Sequence, residues 1–142
     1  MQTDKVTKTN LPCADQSSPK GRSTFEWHLP NDHQVTVYFR KKGENAGGHY
    51  HKGTDPSKRP ELFLLLSGKV SIHACYPSGE GLGLLLDATE HPVELVIPPL
   101  VFHTFVAETD ITYIEYRVTR FDKNTADVHG IEKWRESVWT VT

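Results

Sequence analysis

Alternation of apolar and polar residues with period two, repeated in short segments, limits what this chain can fold into more than any other feature. In QVTVYFR, residues 34–40, Val35, Val37 and Phe39 fall on one face of an extended strand, and Thr36, Tyr38 and Arg40 fall on the other. ELFLLL, KVSIHACY, LGLLLD, VELVI, HTFVAE and ITYIEYRVTRF continue the short-strand pattern, separated by SG, PSGEG, ATEHP, PP and ETD, all turn chemistry. Many short strands at close spacing specify an all-β sandwich or barrel, because a sheet with one apolar face needs a second layer to cover it. Only IEKWRESVW, after His129-Gly130, suits a short C-terminal helix.

A length of 142 residues with 37% hydrophobic content suits one domain around one core. Residues 1–22 are rich in Thr, Ser, Lys, Asp and Pro without periodicity, so they are expected to be flexible or ordered against a partner chain, with residues 23–142 forming the barrel domain. The 16 Lys+Arg nearly balance the 18 Asp+Glu without a long run of either sign, which speaks against nucleic acid or an anionic membrane as partner. No segment has the length of a membrane span and the leader lacks the apolar centre of a secretory signal, so a cytoplasmic location is expected. Cys13 and Cys75 are read as two free thiols. PSGEGLG lies between two strand patterns with no helix after it, which makes it a hairpin turn rather than a phosphate loop.

The chemistry concentrates in GGHYHKGTDPSKRPELFLLLSG, residues 47–68. On a strand, His49 and His51 project to the same face while Tyr50 points away, so two imidazoles stand side by side. Glu61 opens the next strand with Phe63 and Leu65 on its own side, at the rim of an apolar interior where an isolated carboxylate would be costly. A shared divalent cation removes that cost. His103 opens a later strand after Pro98-Pro99, and if the barrel joins these strands, His49, His51, Glu61 and His103 supply three nitrogens and one oxygen. His28, His33, His73, His91 and His129 are read as ordinary polar residues, with His73 facing away from the core, and Trp27, Trp134 and Trp139 as packing residues.

The pattern Gly…His-x-His…Glu-x6-Gly followed by Pro-x-x-x-x-His resembles the two motifs of the cupin superfamily, metal-holding β-barrels of the RmlC-like jelly-roll type. Gly47 or Gly48, His49, His51, Glu61 and Gly68 match the first motif, and Pro98 and His103 the second. The insertion KGTDPSKRP is longer than the family's usual spacing, so Asp55 is an alternative to Glu61; Glu61 is preferred because its distance to Gly68 fits. Leu100 replaces a glycine common in the second motif. Over roughly residues 24–137 the chain is similar to the WbuC-type cupin metalloproteins of bacterial surface-polysaccharide gene clusters, including a Glu-x-basic pair, Glu115 and Arg117, and an aromatic-Asp step after the last long strand, Phe121 and Asp122. The alternative at the histidines is a barrel of this type without its metal.

The resemblance implies a divalent transition metal (zinc, iron, nickel or manganese), a small-molecule substrate and a homodimer. It points first to an isomerase or epimerase acting on an activated sugar, with an iron-dependent dioxygenase or oxidoreductase, or a non-catalytic sugar-binding cupin, as alternatives. Glu115 is then a general base or a neighbour of the metal ligands, Arg117 an anion contact, and Tyr38 a further candidate, with Arg40 beside it. The simpler reading of Glu115 and Arg117 is a surface charge pair on a strand.

Overall fold

The computed structural model describes residues 5–14 and 23–139. Nine strands follow in order: β1 (Ser23–His28), β2 (Gln34–Arg40), β3 (Asn45–His49), β4 (Glu61–Ser67), β5 (Lys69–Cys75), β6 (Gly81–Asp87), β7 (Val93–Ile97), β8 (Phe102–Ala107) and β9 (Ile111–Arg117), and then helix α1 (Ile131–Trp139). They form two antiparallel sheets, one ordered β1-β2-β9-β4-β7 and the other β3-β8-β5-β6. Apart from the β1–β2 and β5–β6 hairpins, sequential strands alternate between the sheets, so the two faces close over one interior in the expected all-β jelly roll. PSGEG makes the expected hairpin, with Tyr76 N–H donating to Glu80 O at 2.9 Å and Gly79 N–H to Tyr76 O at 2.8 Å.

The β4–β5 turn requires a glycine. Gly68 sits at φ +87°, and a Cβ there would lie 2.2 Å from the Asp110 carbonyl oxygen. This close approach lets β9 start directly beside β4.

Three strands carry the interior in layers. Reading inward-facing positions, β4 gives Glu61, Phe63 and Leu65; β8 gives His103, Phe105 and Ala107; β9, running the opposite way, gives Glu115, Tyr113 and Ile111. One end of the barrel is therefore ionisable and the middle aromatic, with Phe63 5.6 Å from Phe105 and 5.8 Å from Tyr113 between ring centroids. The far end is aliphatic, where Leu65, Val70, Ala88, Ala107 and Ile111 form the buried cluster.

On β2 the two faces are those read from the alternation, but the polar one turns inward. Gln34 and Thr36 are buried, whereas Phe39 on the opposite face is 46% exposed. The same outer surface of the larger sheet carries Trp27 (50% exposed), Val96 (46%) and Leu66 (40%). His73 is exposed, as expected from its alternation, and neither cysteine is in a disulfide. Cys13 of the leader pairs with Phe25 at the edge of β1, and residues 15–22 of that segment lie outside the described residues. Trp134 is buried, as a packing residue should be; the side chain of Trp139 lies outside the described ones.

Candidate metal centre

β3 must approach β8 closely to bring its histidines to bear. Gly47, at φ +82°, makes that possible, since a Cβ on it would lie 2.7 Å from the His103 carbonyl oxygen. The register shifts between Gly47 and His49, an irregularity that re-aims the strand end so that His49 lies opposite His103. His51 follows just beyond the strand. Tyr50 turns the other way, fully buried, and its backbone exchanges two hydrogen bonds with His129 at 2.9 and 3.0 Å.

The three imidazoles converge. Ring centroids are 4.7 Å apart for His49 and His51, 4.9 Å for His49 and His103, and 5.3 Å for His51 and His103. One nitrogen from each lies within 4.8 Å of the others, a spacing that one metal ion could bridge. Glu61 joins them: its Oε2 is 3.1 Å from His51 Nε2 and its Oε1 3.4 Å from His103 Nε2.

Backbone carbonyls orient two of the rings. His51 Nδ1 lies 2.5 Å from Asp127 O and His103 Nδ1 lies 3.0 Å from Val101 O. A carbonyl can only accept, so both Nδ1 atoms carry the hydrogen and each Nε2 turns toward the centre. His51 Nε2, His103 Nε2 and Glu61 Oε1 are buried and make no hydrogen bond. Orphaned groups of this kind cost about 1–3 kcal/mol each. A divalent cation would use all three.

Electrostatics agrees with that use. Burial, and then the neighbouring His103 and His51, lower the His49 pKa to about 4, and burial also lowers that of His103, so both are neutral donors near neutral pH. Burial alone would raise the Glu61 pKa, but His51 and the Lys58 ammonium hold it below the usual carboxylate range. The residues present fit a bound transition metal by both geometry and protonation.

Asp55, the alternative oxygen ligand, is occupied elsewhere. It caps the short turn Pro56–Lys58 through Ser57 N–H and receives Arg117 Nη2 at 2.7 Å. Arg117 also donates from Nε to Thr119 O at 3.0 Å, so its charge is spent in part on fixing the 55–58 loop to the end of β9. Glu115 and Arg117 are not a surface pair: both are buried, at 4% and 2% exposure.

Glu115 lies beside the histidine cluster. Its pKa is raised to about 7, by burial first and by Glu61 beside it, against the opposing pull of Lys58. A carboxyl tuned there suits proton transfer at neutral pH. Tyr38 stacks on Tyr113 at 4.5 Å, and burial and then Glu115 push its pKa well above the ordinary value, so it stays a neutral donor. These side chains line a cavity of about 390 Å³ with Gln34, Thr36, Arg40, His49 and His51.

Three residues essential to this arrangement carried no role in the sequence reading. Lys58, from the insertion, is buried and donates from Nζ to Glu61 and, at 2.7 Å, to Glu115. Burial would lower its pKa, but the two glutamates raise it instead, so it is a cation. Asp127 receives the N–H groups of Lys52 (2.8 Å), Gly53 (2.8 Å), Thr54 (2.9 Å) and Asp55 (3.3 Å), and His129 Nε2 at 2.8 Å, which clamps the chain after His51. Leu100 takes the left-handed φ of 70° that glycine would adopt freely, donates to His51 O at 2.8 Å and accepts from the Trp134 indole at 2.8 Å.

No family model and no curated protein sequence matches the chain. Its structure is similar to the capsular polysaccharide assembling protein CapF of Staphylococcus aureus, with TM-score 0.69 and 24% identity over 87% of this chain and 32% of that one. It is also similar to an oxalate decarboxylase of Bacillus subtilis (TM-score 0.61, 14% identity, 97% of this chain and 38% of that one). A third likeness is to QdtA, a sugar 3,4-ketoisomerase of Thermoanaerobacterium thermosaccharolyticum solved in complex with TDP (TM-score 0.53, 20% identity, 74% and 73%). The chain thus spans about a third of the length of CapF. Together with the two-sheet topology, these likenesses show that its fold is the jelly-roll barrel of those proteins.

Proposed function

We propose that this protein is a metal-dependent isomerase or epimerase that acts on an activated sugar in surface-polysaccharide biosynthesis, as the resemblance to WbuC-type cupins implies. The observation that carries the reading is the pairing of two features at one end of one cavity: three converging imidazoles with unshared Nε2 atoms beside Glu61, and Glu115 poised near neutrality. His49, His51, His103 and Glu61 would hold the ion, which supplies Lewis-acid polarisation of a substrate carbonyl or hydroxyl. Glu115 accepts the proton from the neighbouring carbon and returns it, and its raised pKa lets it do both at neutral pH. Tyr38, kept protonated, donates a hydrogen bond to a substrate oxygen. The aromatic layer of Phe63, Phe105 and Tyr113 closes the cavity floor against water from the aliphatic end.

QdtA is a sugar 3,4-ketoisomerase and CapF a capsular polysaccharide assembling protein, and both accord with this substrate class. A homodimer is part of the proposal: the exposed Trp27, Phe39, Leu66 and Val96 give the larger sheet an apolar outer surface of the kind a second sheet covers. Metal-loaded protein offered a panel of nucleotide-linked keto-sugars should exchange solvent deuterium into the carbon beside the carbonyl and convert at least one member. Oxygen uptake in place of exchange would turn the assignment to an oxidoreductase, and ligand binding without either to a non-catalytic sugar-binding cupin.

A further inference from the structure

We propose that Lys58 is a positioning residue that limits how Glu61 engages the metal, holding one carboxylate oxygen out of the coordination sphere and weakening cation binding in order to keep ligand positions open for substrate. The inference rests on the histidine-centred reading above and goes beyond it, since Lys58 matches neither cupin motif.

Two carboxylates, Glu61 and Glu115, face one buried ammonium, and Lys58 Nζ donates to Oε2 of each. Of the Glu61 oxygens, Oε1 makes no hydrogen bond and lies 3.4 Å from His103 Nε2, whereas Oε2 is taken by Lys58. The carboxylate can thus offer Oε1 to an ion with the lysine contact intact, whereas Oε2, 3.1 Å from His51 Nε2, would have to share its lone pairs between the ion and the ammonium. The ammonium also places a positive charge one carboxylate away from any cation among the histidines, at a depth where screening is weak. Both effects reduce affinity for a divalent ion.

The lysine is fixed rather than free to swing aside. Asp55 caps the turn that carries it, Arg117 anchors Asp55 at 2.7 Å, and Asp127 gathers the amides of residues 52–55. The insertion between His51 and Glu61 therefore reads as a support built to deliver one ammonium to this place. A loop that merely joined two strands would not need an anchor at each end.

The test uses cobalt(II) as probe, measured by competition with a chromophoric chelator and by its ligand-field spectrum, on the full chain and on Lys58→Met, Lys58→Gln and Lys58→Arg. Lys58→Met should bind cobalt(II) at least about tenfold more tightly than the parent, as expected from removing a like charge at this range. Its spectrum should shift toward higher coordination as Glu61 becomes bidentate, while Lys58→Arg keeps the parent's affinity and spectrum. Lys58→Gln retains a donor to Glu61 without the charge and carries the test if Lys58→Met does not fold. Equal or weaker binding by folded Lys58→Met or Lys58→Gln, with an unchanged spectrum, overturns the proposal. His103→Ala separates this failure from that of the underlying reading: if it binds cobalt(II) as well as the parent does, the histidine centre itself is wrong.

Discussion

The two ends of the barrel interior are built from the same strands to opposite ends. Along β4, β8 and β9 one end holds Glu61, His103 and Glu115, and two inward positions further on the other end holds Leu65, Ala107 and Ile111. The aliphatic end obeys the usual economy of a core, with apolar side chains closing on one another. The ionisable end defies it, burying Lys58, Glu61, Glu115, Arg117 and two histidines at a desolvation cost that packing does not repay. A violation confined to one end of a single interior, with a cavity above it, marks where stability has been given up for chemistry.

Substitutions at the two ends should therefore fail in different ways. The largest effect is expected from Glu115→Gln, which keeps shape but removes the base: turnover should fall by about 10²–10⁴ while metal content is unchanged. In the parent, the same group should make kcat/KM rise with pH through about 7, because the base acts only when deprotonated, and this limb should vanish in the variant. At the other end, Leu65→Ala should cost about 2–5 kcal/mol of stability by opening a cavity, read from denaturant unfolding, with metal affinity nearly unaltered. If Leu65→Ala instead abolished metal binding as His103→Ala does, the division between the ends would be lost.

Asp127→Asn lies between these behaviours. It should cost about 1–3 kcal/mol by weakening the clamp on residues 52–55, and lower metal affinity through His51, whose ring leans on the Asp127 carbonyl. Although burial opposes it, the amides of Lys52, Asp55 and Gly53 together with His129 depress the Asp127 pKa. Its contribution is therefore complete above the unfolded value of about 3.9 and is lost as pH falls through the folded one, so acid unfolding of the parent should be steeper there than that of the variant. The smallest effect on the interior belongs to the outer sheet face: Phe39→Lys should leave metal content and turnover per site near the parent's while shifting a homodimer toward monomer in sedimentation.

The sequence makes the ligand-bearing half of this contrast readable and hides its supports. His49 and His51 follow from a two-residue period, and Glu61 and His103 from their place at strand heads and from motif spacing. Period two also divides β2 into faces, yet it cannot tell which face turns in. That depends on the partner sheet, and here Gln34 and Thr36 went inside while Phe39 went out. Lys58 sits in a polar insertion where lysines are ordinarily solvated, and its only signal was the unusual length of that insertion. Asp127 acts 72–75 residues along the chain from the amides it holds, in a stretch without periodicity. Motif spacing favoured Glu61 over Asp55, but what holds Asp55 away, Arg117, is a contact between distant segments that no local pattern encodes.

The central claim is that one transition-metal ion sits among His49, His51 and His103 with Glu61 beside it. Metal analysis of protein purified without added metal, run beside His103→Ala, tests it most directly. Close to one ion per chain in the parent and almost none in the variant is the result expected; a parent that takes up no ion even when titrated, or a variant that retains it, would contradict the claim.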